Sequence, residues 1–573
     1  MEPVLTLEAN TVLKARYLKD NETAGELFRR VACHVARAES FYGCSSEAAG
    51  QEYYRLMAGL EFLPNSPTLF NAGKTNGQLA ACFVLPIGDS LAGIFETLKN
   101  TALIHQSGGG TGFSFSRLRP AGDTVNSTGG VASGPVSFME IYDAATQIVK
   151  QGAARRGANM AILRIDHPDI RQFITVKRKR DILNNFNLSV GITDQFMQAV
   201  KKGDDYSLVN PRDNTIAERV AARELFDLLA EMAWENGEPG LFFLDAVNRA
   251  NPTPALGEFE APNPCSEQPL LPYESCVLGS INLTKMLLPV DGEKVVFDYE
   301  KLRRTVRLAV RFLDNVIDVN NYPLPEVERA TGLTRKIGLG IMGLSDLFIR
   351  FNIPYASQQA VDMTASIMHF ITEEARRISS ELGEARGSFP EFANSIYPKL
   401  GFKTLRNATV TTIAPTGSIS IIAGCSSGIE PLFGLAMTRR VLDGRLIASV
   451  NQVVVDYLIK GNLWSDEVEA AIMGTGSVAG LNLPLPVKQT LATAHEISAE
   501  WHVAQLAAAQ CHTDNGVSKT VNLPHNATRE DVANVFWRAF INGCKGVTVY
   551  RDGSRDQQVL TQGAEACEEC GSQ

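Results

Sequence analysis

Asn263, Cys265 and Glu267 put an amide, a thiol and a carboxylate within five residues, and another thiol, Cys276, follows eleven residues after the first. A packed core has no use for such a cluster, because buried polar groups are costly unless paired. Radical chemistry on a hydroxylated substrate has a use for each member. A thiol can carry a hydrogen-abstracting radical, a carboxylate can take a hydroxyl proton, and an amide can hold the substrate oxygen. A further thiol can join a partner as a two-electron reductant. Pro264 lacks a backbone donor and restricts Asn263, which suits a loop tip better than a strand interior. A loop thrust into a barrel would present Cys265 to a substrate. The plainer reading is a loop that happens to contain these residues.

Other residues join this set with less force. Cys82 follows Ala80 and Ala81 and opens a strand-like run. A free cysteine on a strand is usually a small buried hydrophobe, so its functional case rests on serving as partner to Cys276. Cys567 and Cys570 have Cys-x-x-Cys spacing, and the tail offers no further His or Cys to complete a zinc site. They read as a tethered dithiol able to exchange with a disulfide, or as an accident of composition. Pro415, Thr416, Gly417, Ser418 and Ile419 follow a strand-like run and read as an anion site at a helix start, or as a simple N-cap. Ser66 could add a hydroxyl to the same site. The glycines of 108–112 allow close approach of a ligand or tight packing. Basic runs at Arg155–Arg156 and 177–180 are solvated surface or phosphate-receiving loops.

The elements that must position these groups follow from pattern. Residues 1–60 form a helical region, with Leu27, Val31 and Val35 at helical spacing. Residues 61–553 alternate strands (81–85, 161–163, 188–192, 337–344, 410–414) with helices (219–236, 361–382), which predicts an α/β barrel. Residues 554–573 turn polar and read as a mobile redox tail. The net charge of −9 argues against a general nucleic-acid grip. No apolar run approaches the roughly 18 residues of a membrane span, and the start lacks a signal-peptide layout. A cytoplasmic protein with no membrane partner is expected. Its ten cysteines are then mostly reduced, so pairs among them are better read as catalytic or metal-binding than as staples.

Taken together, the chain resembles a ribonucleotide reductase, most closely the adenosylcobalamin-dependent class (class II). The resemblance runs from about residue 63 to 553. It rests on Asn-Ser-Pro-Thr at 65–68, Ala-Cys-Phe-Val at 81–84, Gly-Asp-Ser-Leu at 88–91, Asn-Pro-Cys-Ser-Glu-Gln-Pro-Leu at 263–270 and Pro-Thr-Gly-Ser-Ile at 415–419. The resemblance implies a ten-stranded α/β barrel with the radical cysteine on an inward finger loop. Cys265 would be the thiyl radical that removes the ribose 3′ hydrogen, Glu267 would deprotonate the 3′-hydroxyl, and Asn263 would hold the ribose. Cys82 and Cys276 would help the 2′-hydroxyl leave as water and become a disulfide. Cys567 and Cys570 would reduce that disulfide and be regenerated by a thioredoxin-like protein. Ser66, Ala81, Cys82, Gly110, the 263–267 loop with Pro264 and Ser266, and the 415–419 turn match the family's contacts to the ribonucleotide substrate. Asp89, Ser90, Leu91 and Arg119 match positions for a deoxynucleoside triphosphate effector. Arg155, Arg156 and the 177–185 stretch match its effector-sensing loops. A homodimer is expected, with Mg2+ accompanying the nucleotides.

The class follows by elimination within the family. A class I large subunit ends its radical relay in adjacent tyrosines, and 547–551 offers only Tyr550. The glycyl-radical motif is missing, and so is a histidine-ligated cobalamin motif, on which class II does not rely. About sixty residues precede the barrel, too few for the family's ATP-binding cone, so on–off control by such a domain is not expected. Ser266 stands where relatives usually have Gly. Three rivals remain at this stage: a class I large subunit activated by a separate radical-generating subunit, another radical or thiol oxidoreductase on a related barrel, and a non-catalytic nucleotide sensor. The pattern leaves open diphosphate against triphosphate.

Overall fold

A computed structural model describes residues 2–19, 21–75, 77–125, 130–149, 157–179, 181–290, 294–440 and 446–555. Cys567, Cys570, Arg155, Arg156 and Arg180 lie outside the described residues.

Ten strands form one sheet. In chain order they are β1 (Phe62–Pro64), β2 (Cys82–Val84), β3 (Gly110–Ser114), β4 (Asn159–Arg164), β5 (Phe186–Ile192), β6 (Gly240–Phe243), β7 (Ser275–Asn282), β8 (Ile337–Met342), β9 (Thr520–Leu523) and β10 (Gly546–Arg551). Strands β2 to β6 lie side by side and parallel. Parallel pairs β7–β8 and β9–β10 belong to a second group. Single parallel bridges, Leu339 to Thr411 and Ile413 to Val517, span the space between β8 and β9. The two groups meet antiparallel at two seams, β2 with β7 and β6 with β10. The result is an α/β barrel made of two parallel halves. Strands β6 and β8 read as continuous apolar runs, as expected where both faces are covered, whereas β10 alternates buried and more exposed residues.

Two local expectations change. The helix expected over 219–236 begins at Ala222, because Ile216–Ala221 pairs as a strand with Asp205–Val209. The run 410–414 makes isolated bridges rather than a continuous strand. Its partners β8 and 515–518 reach it at single residues.

Three helices, Leu7–Arg16, Ala24–Ala36 and Ser46–Ala58, precede β1. Thr23 and Glu26 form a reciprocal capping box at the second. Val31, Val35, Tyr53 and Met57 bury the contact between the second and third. A buried ionic network ties this region to the barrel's outer helices, Tyr299–Val319 and Gln358–Arg386. Glu39 receives hydrogen bonds from Arg311 (2.5 Å), Arg386 (2.9 Å) and Asn315 (2.7 Å), and Arg386 also bonds Asp314. Burial alone would raise the Glu39 pKa, but these hydrogen bonds and the arginine charges outweigh it and hold the carboxyl at about 2.

Candidate active site

A hairpin enters the barrel between the two halves. Ala261–Pro262 pairs antiparallel with Pro269–Leu270, and residues 263–268 form its tip. The tip closes on itself: Ser266 N–H donates to the Asn263 carbonyl (3.0 Å), and Gln268 N–H donates to Asn263 Oδ1 (3.0 Å). Ser266 has φ of 65°, the left-handed region that favours glycine. The serine is accommodated with its Oγ near Gly546, where a Cβ would lie 3.4 Å away.

Glycines make room for this hairpin, Gly110 and Gly112 on β3 and Gly516 outside the strands. A Cβ at Gly112 would collide with the Pro262 carbonyl, and one at Gly110 would come within 3.0 Å of the Pro264 ring. A Cβ at Gly516 would sit 2.5 Å from the Ser266 carbonyl oxygen. Glycine inside a strand marks such a close backbone approach. Polar contacts complete the seat. Asn187 on β5 donates to the Pro264 carbonyl (2.8 Å), while Thr412 Oγ1 and Gly516 N–H both donate to the Glu267 carbonyl at 2.8 Å. Asn187, Thr412 and Gly516 went unnoticed in the sequence; the glycine-rich Ile337-Gly338-Leu339-Gly340 run was an available signal of crowding inside a strand.

The hairpin lies directly on the candidate dithiol. Asn263 Nδ2 donates to Cys82 Sγ at 3.0 Å. Cys82 on β2 and Cys276 on β7 are opposite residues in the antiparallel register of the seam. Opposed residues in such a pair have Cα atoms roughly 4.5–5.5 Å apart, inside the disulfide range. Both sulfurs are free thiols here and both are buried. Burial pushes the Cys82 thiol well up, with Glu267, Cys276 and Cys265 adding to it. Burial likewise raises Cys276, with the Lys336 charge opposing and Glu274 and Glu267 assisting. Each is therefore a protonated thiol at neutral pH, able to donate a proton. Asn263 and Glu267 are buried at 2% exposure, while Cys265 is exposed. The arrangement has one accessible sulfur, with the dithiol and carboxylate behind it.

The chain's similarity to known proteins agrees with this architecture. Residues 4–77 match the family model for the all-alpha domain of ribonucleotide reductase, and residues 80–404 and 400–550 match that for its barrel domain. The chain belongs to the ribonucleotide reductase family. A vitamin B12-dependent ribonucleoside-diphosphate reductase of Thermoplasma acidophilum is 47% identical over 622 residues, covering 98% of this chain and 80% of that protein. One from Mycobacterium tuberculosis is 49% identical over 569 residues, covering 98% and 81%. A solved class Id ribonucleotide reductase alpha subunit from Actinobacillus ureae shares the fold, with a TM-score of 0.79 at 24% identity, covering 96% of this chain and 97% of that one.

The other residues matched to the family lie on several elements. Ala81 and Gly110 flank Cys82 at the hairpin: Gly110 N–H donates to the Ala81 carbonyl (2.9 Å). Ser66 opens a short helix, Ser66–Asn71, and its Oγ lies 2.7 Å from the Tyr17 hydroxyl of the helical region. In the 415–419 turn, Thr416 has φ of 55°, unusual for a β-branched residue, and its Oγ1 accepts from Gly428 N–H (2.8 Å). Pro415 precedes it, Gly417 is exposed, and Ser418 is N-cap to the Ile419–Ala423 helix without a side-chain capping bond. Asp89 and Arg119 pair at 2.8 Å, and Ser90 caps the helix Leu91–Gln106 through Gly93 N–H (3.1 Å). Leu91 itself is 65% exposed. Lys177 bonds Glu238 at 2.7 Å, and Asn185 N–H donates to Asp143 (2.8 Å). Among the described residues, no helix is long and apolar enough to cross a membrane.

Proposed function

We propose that this chain reduces ribonucleotides, ribonucleoside diphosphates by analogy with its named relatives, to 2′-deoxyribonucleotides through a radical on Cys265. The observation that carries the reading is the contact of Asn263 with Cys82 beside Cys276, which joins an exposed thiol, a carboxylate and a dithiol in one place. Adenosylcobalamin, when bound, supplies a radical by homolysis of its cobalt–carbon bond. The residues fit that group in one respect: Cys265 is the exposed member of an otherwise buried cluster, so a bulky cofactor can approach its sulfur directly.

Cys265 takes the 3′ hydrogen atom from the ribose and later returns it. Glu267 accepts the 3′-hydroxyl proton, and Asn263 orients the ribose oxygen. Cys82, protonated because it is buried and ringed by acidic neighbours, gives a proton to the departing 2′-hydroxyl. Cys82 and Cys276 then supply two electrons and close as a disulfide. Cys567 and Cys570 reopen it and are recharged by a thioredoxin-like protein. The 415–419 turn and Ser66 receive the substrate phosphates; Asp89, Ser90, Leu91 and Arg119 receive the effector nucleotide. Leu91 and Phe95 on one helix, with Ile141 and Ile148 on the neighbouring helix Pro135–Ile148, leave an apolar face exposed. That face supports a homodimer.

The test is turnover of the purified chain with adenosylcobalamin, a ribonucleoside diphosphate and a small dithiol. Deoxynucleotide forms without any second subunit, and Cys265→Ser abolishes it while nucleotide binding persists. Product from the Cys265→Ser chain would overturn the reading.

A further inference from the structure

The helical region also meets the barrel at Ser66. Tyr17 is the C-cap of the helix Leu7–Arg16, and its hydroxyl lies 2.7 Å from Ser66 Oγ. Tyr17 is 3% exposed, whereas Ser66 is half-buried and keeps access to solvent. Next to Ser66, Asn65 is 7% exposed. Its Oδ1 accepts from Thr68 N–H (2.9 Å), and its Nδ2 is buried with no partner among the described residues. An unpaired buried donor at such a place calls for a further acceptor. The helix Ile419–Ala423, which the 415–419 turn opens, packs against both Leu7–Arg16 and β1. At its C-cap, a Cβ on Gly424 would lie 3.8 Å from Cγ2 of Thr6, the N-cap of Leu7–Arg16. One N-terminal helix therefore touches both barrel segments assigned to the substrate phosphates.

We propose that Tyr17 is a positioning residue for the substrate: its hydroxyl donates to Ser66 Oγ and so commits the Ser66 hydrogen to a phosphate oxygen. This rests on the reading of Ser66 and the 415–419 turn as the phosphate site. Each hydroxyl carries one proton and two lone pairs, so either member of the pair can donate to the other. A phosphate oxygen offers lone pairs alone. Once it takes the Ser66 hydrogen, the Tyr17 hydrogen is the one left to fill the 2.7 Å contact. A phenol is also a stronger donor than an aliphatic alcohol, which favours the same order. Tyr17 does not touch the substrate; it acts through Ser66.

A plainer role is a buried tyrosine finding any partner for its hydroxyl. Elsewhere in the chain a backbone carbonyl serves that need, Ile429 for Tyr355 and Ala408 for Tyr397. Those oxygens end the chain of donation. Ser66 Oγ can pass it on, because it has a proton of its own and keeps access to solvent. Two hydroxyls in line with an anion polarise one another, and burial of the first keeps water from replacing it.

Equilibrium dialysis of the full-length chain with a ribonucleoside diphosphate, and with the same ribonucleoside lacking phosphates, separates the two roles. Tyr17→Phe keeps the ring. It is expected to weaken diphosphate binding about fivefold, the net contribution of one hydrogen bond, and to leave nucleoside binding within about twofold. On a Ser66→Ala background, Tyr17→Phe adds less than about twofold, because the group it acts through is gone. In turnover the loss falls on KM, with kcat held within about twofold. Equal weakening of nucleoside and diphosphate, no weakening, or a loss of about fivefold that persists on the Ser66→Ala background would overturn the proposal. Should Tyr17→Phe fail to fold, a fluorotyrosine at this position decides. Its more acidic hydroxyl must tighten diphosphate binding, and unchanged or weaker binding rejects the donor role. A Ser66→Ala chain that keeps full diphosphate affinity would instead indict the phosphate placement above, and the proposal falls with it.

Discussion

Cys82 and Cys276 face one another across the antiparallel seam where the two parallel halves of the barrel meet. Within either half, neighbouring strands run parallel and connect through helices, so the seam is where strands from distant parts of the chain are brought into opposed register. Placing the dithiol there lets the hairpin tip reach it from inside, through Asn263.

The tail cysteines are tested by separating two reductants. Replacing Cys567 and Cys570 by serine is expected to leave turnover with dithiothreitol near the parent rate and to lower thioredoxin-driven turnover at least tenfold. Equal loss under both reductants would remove the shuttle role.

The hairpin seat is tested at Gly112. Its missing Cβ is the space occupied by the Pro262 carbonyl, so Gly112→Ala must displace backbone rather than a flexible side chain. Destabilisation of about 1–3 kcal/mol is expected from such overpacking, together with loss of turnover, measured by denaturant unfolding and product assay. An unchanged midpoint and full activity would show that the hairpin lies elsewhere.

These two sites differ in how far sequence could reveal them. Cys265 and its neighbours were legible because three polar residue types crowd a proline-containing loop. The barrel was legible from alternating strands and helices. Its closure was not: the 410–414 run joins Leu339 of β8 to Val517, ahead of β9, through single bridges, and no local pattern encodes contacts between such distant segments. Nor could spacing pair Cys82 with Cys276, since register across the seam is a tertiary property. Lys336 and Glu274 were hidden for the same reason: a charged residue in sequence normally reads as surface.

Acid should loosen the helical region from the barrel. The Glu39 carboxyl is held at about 2, below its usual 4.5. A depressed folded-state value contributes stability that is complete above about 4.5 and is lost as pH falls toward 2. Thermal unfolding across that window is expected to show a steeper loss in the parent than in Glu39→Gln, which starts less stable at neutral pH. Parallel slopes would exclude Glu39 as a contributor.

Charge placed on the exposed apolar face should block self-association. Phe95 is 49% exposed and Ile141 40%. Phe95→Glu with Ile141→Glu is expected to sediment as a monomer where the parent sediments as a dimer. A variant that still sediments as a dimer would move the interface to another surface.

Counting and locating the sulfurs consumed by one turnover tests the central claim most directly. Pre-reduced enzyme, adenosylcobalamin and one equivalent of ribonucleoside diphosphate are mixed without external reductant, then quenched by alkylation and mapped by mass spectrometry. Two thiols should disappear per deoxynucleotide formed, appearing as a Cys82–Cys276 disulfide or one relayed to the tail, with Cys265 recovered alkylated. Deoxynucleotide formed with Cys82 and Cys276 both untouched and no tail disulfide, or with Cys265 in the new disulfide, would contradict the account.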